Sequence, residues 1–136
     1  MLNHLYCFGM GFSARALAAR LSRLGWTITG TSRSAEGLKA IEALGYRAAL
    51  FDLPLHIPDD VTHAVVSTPP DGHGDPVLRL CSEQLRQAKN IAWLAYLSTT
   101  GVYGDRGGEW VTEESPLTPN TERGAKRLKA ETAWLR

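Results

Sequence analysis

The feature that most narrows what this chain can fold into is a paired-glycine turn near its start, Leu5-Tyr6-Cys7-Phe8-Gly9-Met10-Gly11-Phe12-Ser13-Ala14. An apolar run of strand length enters the turn, and a helical pattern leaves it. Gly9 allows a tight exit from the strand, Gly11 has no Cβ to hold an approaching group away from the backbone amides, and Ala14 is small enough for helix and strand to pack closely. The first turn of the helix carries N–H groups with no intrahelical partner and the positive end of the helix dipole, so the pattern suits a bound diphosphate.

The periodicity that follows repeats this strand-then-helix alternation. Ala14, Leu17, Leu21 and Leu24 recur at helical spacing, which predicts a helix from Ser13 to Leu24 stopped by Gly25; Arg15, Arg20 and Arg23 read as its solvated face. Residues Trp26 to Thr31 are rich in β-branched types and read as a second strand, completing a right-handed βαβ unit. Leu38, Ile41 and Leu44 mark a short helix capped by Gly45, and Tyr46 to Asp52 a third strand. Residues 53–60 hold two prolines and are too few for a crossover helix, so a loop is expected. Val61 to Ser67 is the fourth strand, broken by Thr68-Pro69-Pro70. Asp75 as N-cap and Pro76 at the first helical position then open a helix with the apolar stripe Val77, Leu78, Cys81 and Leu85. Ile91 to Leu97 is almost wholly apolar and is expected to lie in the sheet interior, covered on both faces. A last helical pattern, Ala125, Leu128, Thr132 and Leu135, runs from Thr121. This order predicts an α/β fold, a Rossmann-type doubly wound parallel sheet with strand order 3-2-1-4-5.

In such a sheet, ligands bind outside the carboxyl ends of the strands. Gly9, Gly11, Phe12 and Ser13 would then meet a dinucleotide pyrophosphate, with Ser67 and Thr68 at the end of the fourth strand beside it. The end of the second strand would face the adenosine ribose, where an acidic residue favours NAD. The chain has Thr31-Ser32-Arg33-Ser34 there, and the hydroxyls and the guanidinium of Ser32 and Arg33 suit a 2′-phosphate, so NADP is preferred over NAD. Asp52 either accepts a hydrogen bond from the adenine amino group or begins the turn into Pro54. Asp71-Gly72-His73-Gly74-Asp75-Pro76 reads as a helix start rather than a metal site, and the four histidines have no ligand spacing, so no metal is expected.

A chain of 136 residues suits one domain, and a formal net charge of +1 offers no field for nucleic acid or anionic lipid. Nucleic acid and membrane are therefore not expected partners; no apolar run reaches spanning length, and the start lacks a signal-peptide pattern. Cys7 and Cys81 fall on apolar faces and are expected to be reduced, buried thiols in a cytoplasmic protein.

Three segments carry a family resemblance: the N-terminal glycine turn, Ser98-Thr99-Thr100-Gly101-Val102-Tyr103-Gly104, and Thr112-Glu113-Glu114-Ser115-Pro116-Leu117-Thr118-Pro119 leading into Arg123 to Glu131. Together they resemble the extended short-chain dehydrogenase/reductase superfamily, the NAD-dependent epimerase/dehydratase group that acts largely on nucleotide sugars. The resemblance implies a nicotinamide dinucleotide cofactor and a nucleotide-sugar or small carbonyl substrate, with Thr99 hydrogen-bonding the reacting oxygen. The family's Tyr-x-x-x-Lys falls on Arg123 and Arg127, which makes the chain an atypical member. A guanidinium stays protonated, so Arg123 cannot act as the acid/base, and the proton must come from Tyr103 or from a group outside this chain. Arg127 can still donate to the nicotinamide ribose. Family members continue for about as long again, adding a sixth strand and a substrate lobe, and the final helix reaches Arg136 without a stop signal. The chain is thus expected to be the N-terminal portion of a longer protein, with a homodimer as the candidate assembly. Two other readings stand beside this one: a non-catalytic NADP-binding regulatory or redox-sensing module, and a flavodoxin-like domain without a dinucleotide.

Overall fold

A computed structural model describes residues 2–52 and 55–135. Five strands, β1 (His4–Phe8), β2 (Thr27–Ser32), β3 (Arg47–Leu50), β4 (His63–Val66) and β5 (Trp93–Tyr96), form one parallel sheet in the order β3-β2-β1-β4-β5. The helices between them are α1 (Phe12–Arg23), α2 (Ala35–Ala43) and α3 (Pro76–Gln87). A 3-10 turn (Thr100–Tyr103) follows β5, and α4 (Glu122–Trp134) closes the described chain. The expected Rossmann-type sheet and its strand order are those observed.

β1 is the axis of the molecule, and all five of its residues are buried. Its side chains alternate faces with the period of a strand. Leu5 and Cys7 pack with Ala14 and Ala18 of α1 and with Ile28 and Val65, whereas Tyr6 and Phe8 pack with Ala64, Val66, Val77 and Cys81. Ala14 and Ala18 are the buried residues of α1, so the helix sits close on the sheet through two methyl groups, the approach that a small residue after the glycine turn permits. Leu24 and Leu44, expected on buried stripes, are exposed instead, because each lies just past the last regular turn of its helix.

One expectation is corrected. Among the described residues β5 is an edge strand, not an interior one: it pairs only with β4, and Trp93 and Leu94 are 46% and 42% exposed. Apolar composition reports that a strand can be covered, not that it has two neighbours. Residues 55–60 form a loop as expected, and Leu55 and Ile57 from it enter the core beside Phe51. Leu53 and Pro54, and with them the turn that Pro54 was expected to shape, lie outside the described residues. Cys7 and Cys81 are free thiols in the interior, where burial pushes them up to about 12 and about 11 respectively. Among the described residues, no helix is long and apolar enough to cross a membrane.

Candidate functional site

The glycine turn is held by contacts from β2 and from the end of β4. Gly9 adopts φ +89°, its N–H donates to Thr31 Oγ1 at 2.9 Å, and its carbonyl accepts from Ser67 Oγ at 3.2 Å. A Cβ at Gly9 would stand 3.0 Å from Thr68 Cγ2 and 3.1 Å from Ser67 Oγ, so both conformation and space demand glycine. Gly11 differs. It is the N-cap of α1 at φ −86° and ψ −164°, a conformation open to any residue, and a Cβ built on it meets nothing within 4 Å. No side chain caps α1, so its first amides face open room. Phe12 and Ser13 are exposed at that helix start, Phe12 at 91%.

The room in question is a cleft of about 480 Å³ along the carboxyl edge of the sheet. Gly9 and Gly11 of the turn, Ser32 and Arg33 past β2, Phe51 past β3, and Thr68 and Asp71 past β4 all line it. Six residues singled out from sequence thus converge there: Gly9, Gly11, Thr31, Ser32, Arg33 and Thr68. The Arg33 guanidinium lies 5.3 Å over the Phe51 ring, a cation–π contact that holds its charge at the cleft wall. The Thr68 hydroxyl is buried without a hydrogen-bond partner in the protein. Asp71 is gripped by both Arg79 nitrogens at 3.0 Å, and this pairing holds its carboxyl down to about 2.

Other expected residues are placed differently. Thr31 lines the cleft with its hydroxyl oxygen accepting from Gly9 N, whereas Ser34 caps α2 by accepting from Gly37 N at 3.0 Å and is not among the lining residues. Ser67 lies behind the turn, stitching β4 to it. Asp52 is exposed past β3 but outside the cleft lining, where Phe51 stands instead. Thr99 is exposed and accepts from Gly101 N at 3.3 Å, capping the 3-10 turn that carries half-buried Tyr103. Arg127 Nη1 donates to Leu97 O at 2.7 Å and the guanidinium lies 5.8 Å over Tyr96, bracing the end of β5, while Arg123 is exposed. Thr99, Tyr103 and Arg127 are not among the residues lining the cleft. Sequence reasoning missed Phe51, Met10 and Asp71. Phe51 had a signal in its position at the strand end, and Asp71 in its place directly after the two prolines.

A second cleft, of about 460 Å³, lies between the loop after β3 and the end of α3, at the opposite edge of the sheet. It has neither a glycine turn nor a helix N-terminus. No group of three His, Cys, Asp or Glu among the described residues is placed to hold a metal ion.

No known family profile matches the chain. It is 30% identical over 141 residues to the protein YeeZ of Escherichia coli K12, an alignment covering 93% of this chain and 51% of YeeZ. Among solved structures it resembles a functionally unknown conserved protein from Silicibacter pomeroyi, with a TM-score of 0.89 and 44% identity over 97% of this chain and 47% of that one. It also resembles the dTDP-glucose 4,6-dehydratase of Bacillus anthracis in complex with NAD, with a TM-score of 0.71 and 20% identity over 98% of this chain and 49% of that one. The fold is therefore the Rossmann-like one shared with sugar-nucleotide dehydratases and epimerases and with short-chain dehydrogenases/reductases. The chain spans about half the length of the curated relatives it matches.

Proposed function

We propose that this chain is the NAD(P)-binding domain of an epimerase/dehydratase-like oxidoreductase, residues 1–136 forming the N-terminal portion of a longer protein. One observation carries the reading: Gly11 has no folding reason to be glycine, yet it clears the space in front of the uncapped amides of α1. The NAD held by the dehydratase of the same fold supports it.

In this reading the amides of Gly9, Gly11, Phe12 and Ser13 receive the diphosphate, and the partnerless Thr68 hydroxyl finds an acceptor or donor beside it, with Ser67 holding the turn from behind. Arg33, with Ser32, meets the adenosine ribose, and the guanidinium on Phe51 favours NADP over NAD. Asp52 takes the adenine amino group. Arg127, with one N–H committed to Leu97, keeps others for the nicotinamide ribose. The cofactor, when bound, supplies hydride exchange with a nucleotide-sugar or small carbonyl substrate near Thr99. Tyr103, or a group outside this chain, supplies the proton. The interior thiols suit a reducing, cytoplasmic setting, and the protein pairs as a homodimer.

A second reading, a non-catalytic module that senses NADP, is favoured by Arg123 and Arg127 standing where the family has its acid/base pair. Titration calorimetry with NADPH and NADH on the chain and on Gly11→Val tests the binding shared by both readings: NADPH binds more tightly than NADH, and the valine abolishes binding. Single-turnover oxidation of bound NADPH by candidate carbonyl substrates, measured on the full-length protein, separates the two. Oxidation eliminates the pure sensor.

A further inference from the structure

We propose that the Asp71–Arg79 ion pair sets the phosphate preference of the cleft by masking the one carboxylate among its described lining residues. The inference rests on the reading that this cleft takes the adenosine end of a dinucleotide, and it adds a specificity device to it.

Asp71 lies on the cleft wall opposite the Arg33 side, on the loop between β4 and α3. A bare carboxylate there would repel a ribose phosphate as surely as an acid at the end of β2 would. The loop is built to prevent this. Arg79 Nη1 meets Asp71 Oδ1 and Nη2 meets Oδ2, each at 3.0 Å, the two-pronged geometry in which a guanidinium matches both carboxylate oxygens. His73 N donates to Oδ1 at 2.8 Å, and reciprocal backbone bonds between Asp71 and Gly74, at 2.9 and 3.2 Å, close the hairpin that aims the side chain at Arg79. Arg79 itself projects from the first turns of α3, a helix fixed by its buried cap Asp75, whose carboxylate also favours the Arg79 cation.

Folding stability does not explain this arrangement. The two side chains are 36% and 40% exposed, and pairs so wetted contribute little to stability. Their effect falls on what approaches. With Asp71 neutralised by its partner, the outstanding charge among the lining side chains is that of Arg33, held over Phe51 across the cleft. The cleft then presents one positive and one masked wall, the pattern that admits an extra phosphate.

The test measures NADPH and NADH dissociation constants by titration calorimetry for the full chain and for Arg79→Gln, Asp71→Asn and the double variant. Unmasking in Arg79→Gln is expected to weaken NADPH about fivefold through one added negative charge near the phosphate, and NADH by much less. The double variant, with the carboxylate gone, is expected to recover NADPH affinity. Asp71→Asn alone keeps an acceptor for His73 N and leaves Arg79 uncompensated, so NADPH should bind more tightly than in the parent chain. Equal weakening of both nucleotides in Arg79→Gln, no change in either, or a double variant that stays weak overturns the masking while leaving the cleft reading intact. A parent chain that binds neither nucleotide overturns both.

Discussion

Gly9 and Gly11 stand two residues apart and make opposite demands on a side chain. At Gly9 the positive φ and the 3.0–3.1 Å approaches of Thr68 and Ser67 both penalise a Cβ, so Gly9→Ala is expected to lower unfolding free energy by about 1–2 kcal/mol in urea denaturation. At Gly11 the backbone is ordinary and the space open, so Gly11→Ala should leave stability within about 0.5 kcal/mol of the parent. The same methyl should weaken NADPH by about tenfold or more, by displacing one or two charged hydrogen bonds. A Gly11→Ala protein that loses stability as Gly9→Ala does would show the glycine to be structural. The turn itself was legible because chirality and Cβ volume act within three residues. The destination of the Thr31 hydroxyl was not, since β2 pairing brings it to Gly9 N from far along the chain, nor was the Phe51 ring beneath Arg33, which requires β3 to lie beside β2.

Elements were legible where their ends are set by local chemistry. Asp75-Pro76 announces α3, and Asp75 Oδ1 does accept from Leu78 N at 3.0 Å. Asp75→Ala is expected to cost about 1–2 kcal/mol of stability by thermal melt, the upper part of the range for caps because the site is buried. Asp75→Asn, which keeps an acceptor, should cost less. β5 was misread for a reason that belongs to the same scale: a strand's neighbours are chosen by topology, and its letters carry only its hydrophobicity. With Trp93 and Leu94 exposed and one edge unpaired among the described residues, the isolated chain offers a template for further pairing. Sedimentation velocity should therefore find concentration-dependent self-association, and Leu94→Lys should shift the population toward monomer. An invariant monomer across concentrations would show that the edge is already protected.

At the scale of the whole molecule, the sheet has a cleft at its carboxyl edge and a buried polar cluster at its amino edge, and the second makes folding depend on pH. His4, 1% exposed at the start of the central strand, shares a hydrogen bond with Thr29 Oγ1 at 2.7 Å through Nε2. Its Nδ1 lies 3.2 Å from Asp60 Oδ1, and Arg47 reaches the other Asp60 oxygen at 3.7 Å. Burial lowers the His4 pKa below its ordinary 6.5, outweighing the attraction of Asp60, which pulls it up; Arg47 adds a smaller push downward. An unfolded chain therefore takes up a proton near pH 6.5 that the folded chain resists, and the stability associated with neutral His4 is complete above that pH and is lost as pH falls through it. The decline is at most about 1.4 kcal/mol per pH unit for one proton. Asp71, held near 2 by Arg79, keeps its charge throughout this window. Urea midpoints measured from pH 7.5 to pH 5 should fall on the acid side. In His4→Gln, which cannot titrate but can still bond Thr29, the midpoint should start lower and vary less with pH. A parent chain whose midpoint rises on acidification would mean that Asp60 pairing, not burial, governs the central strand.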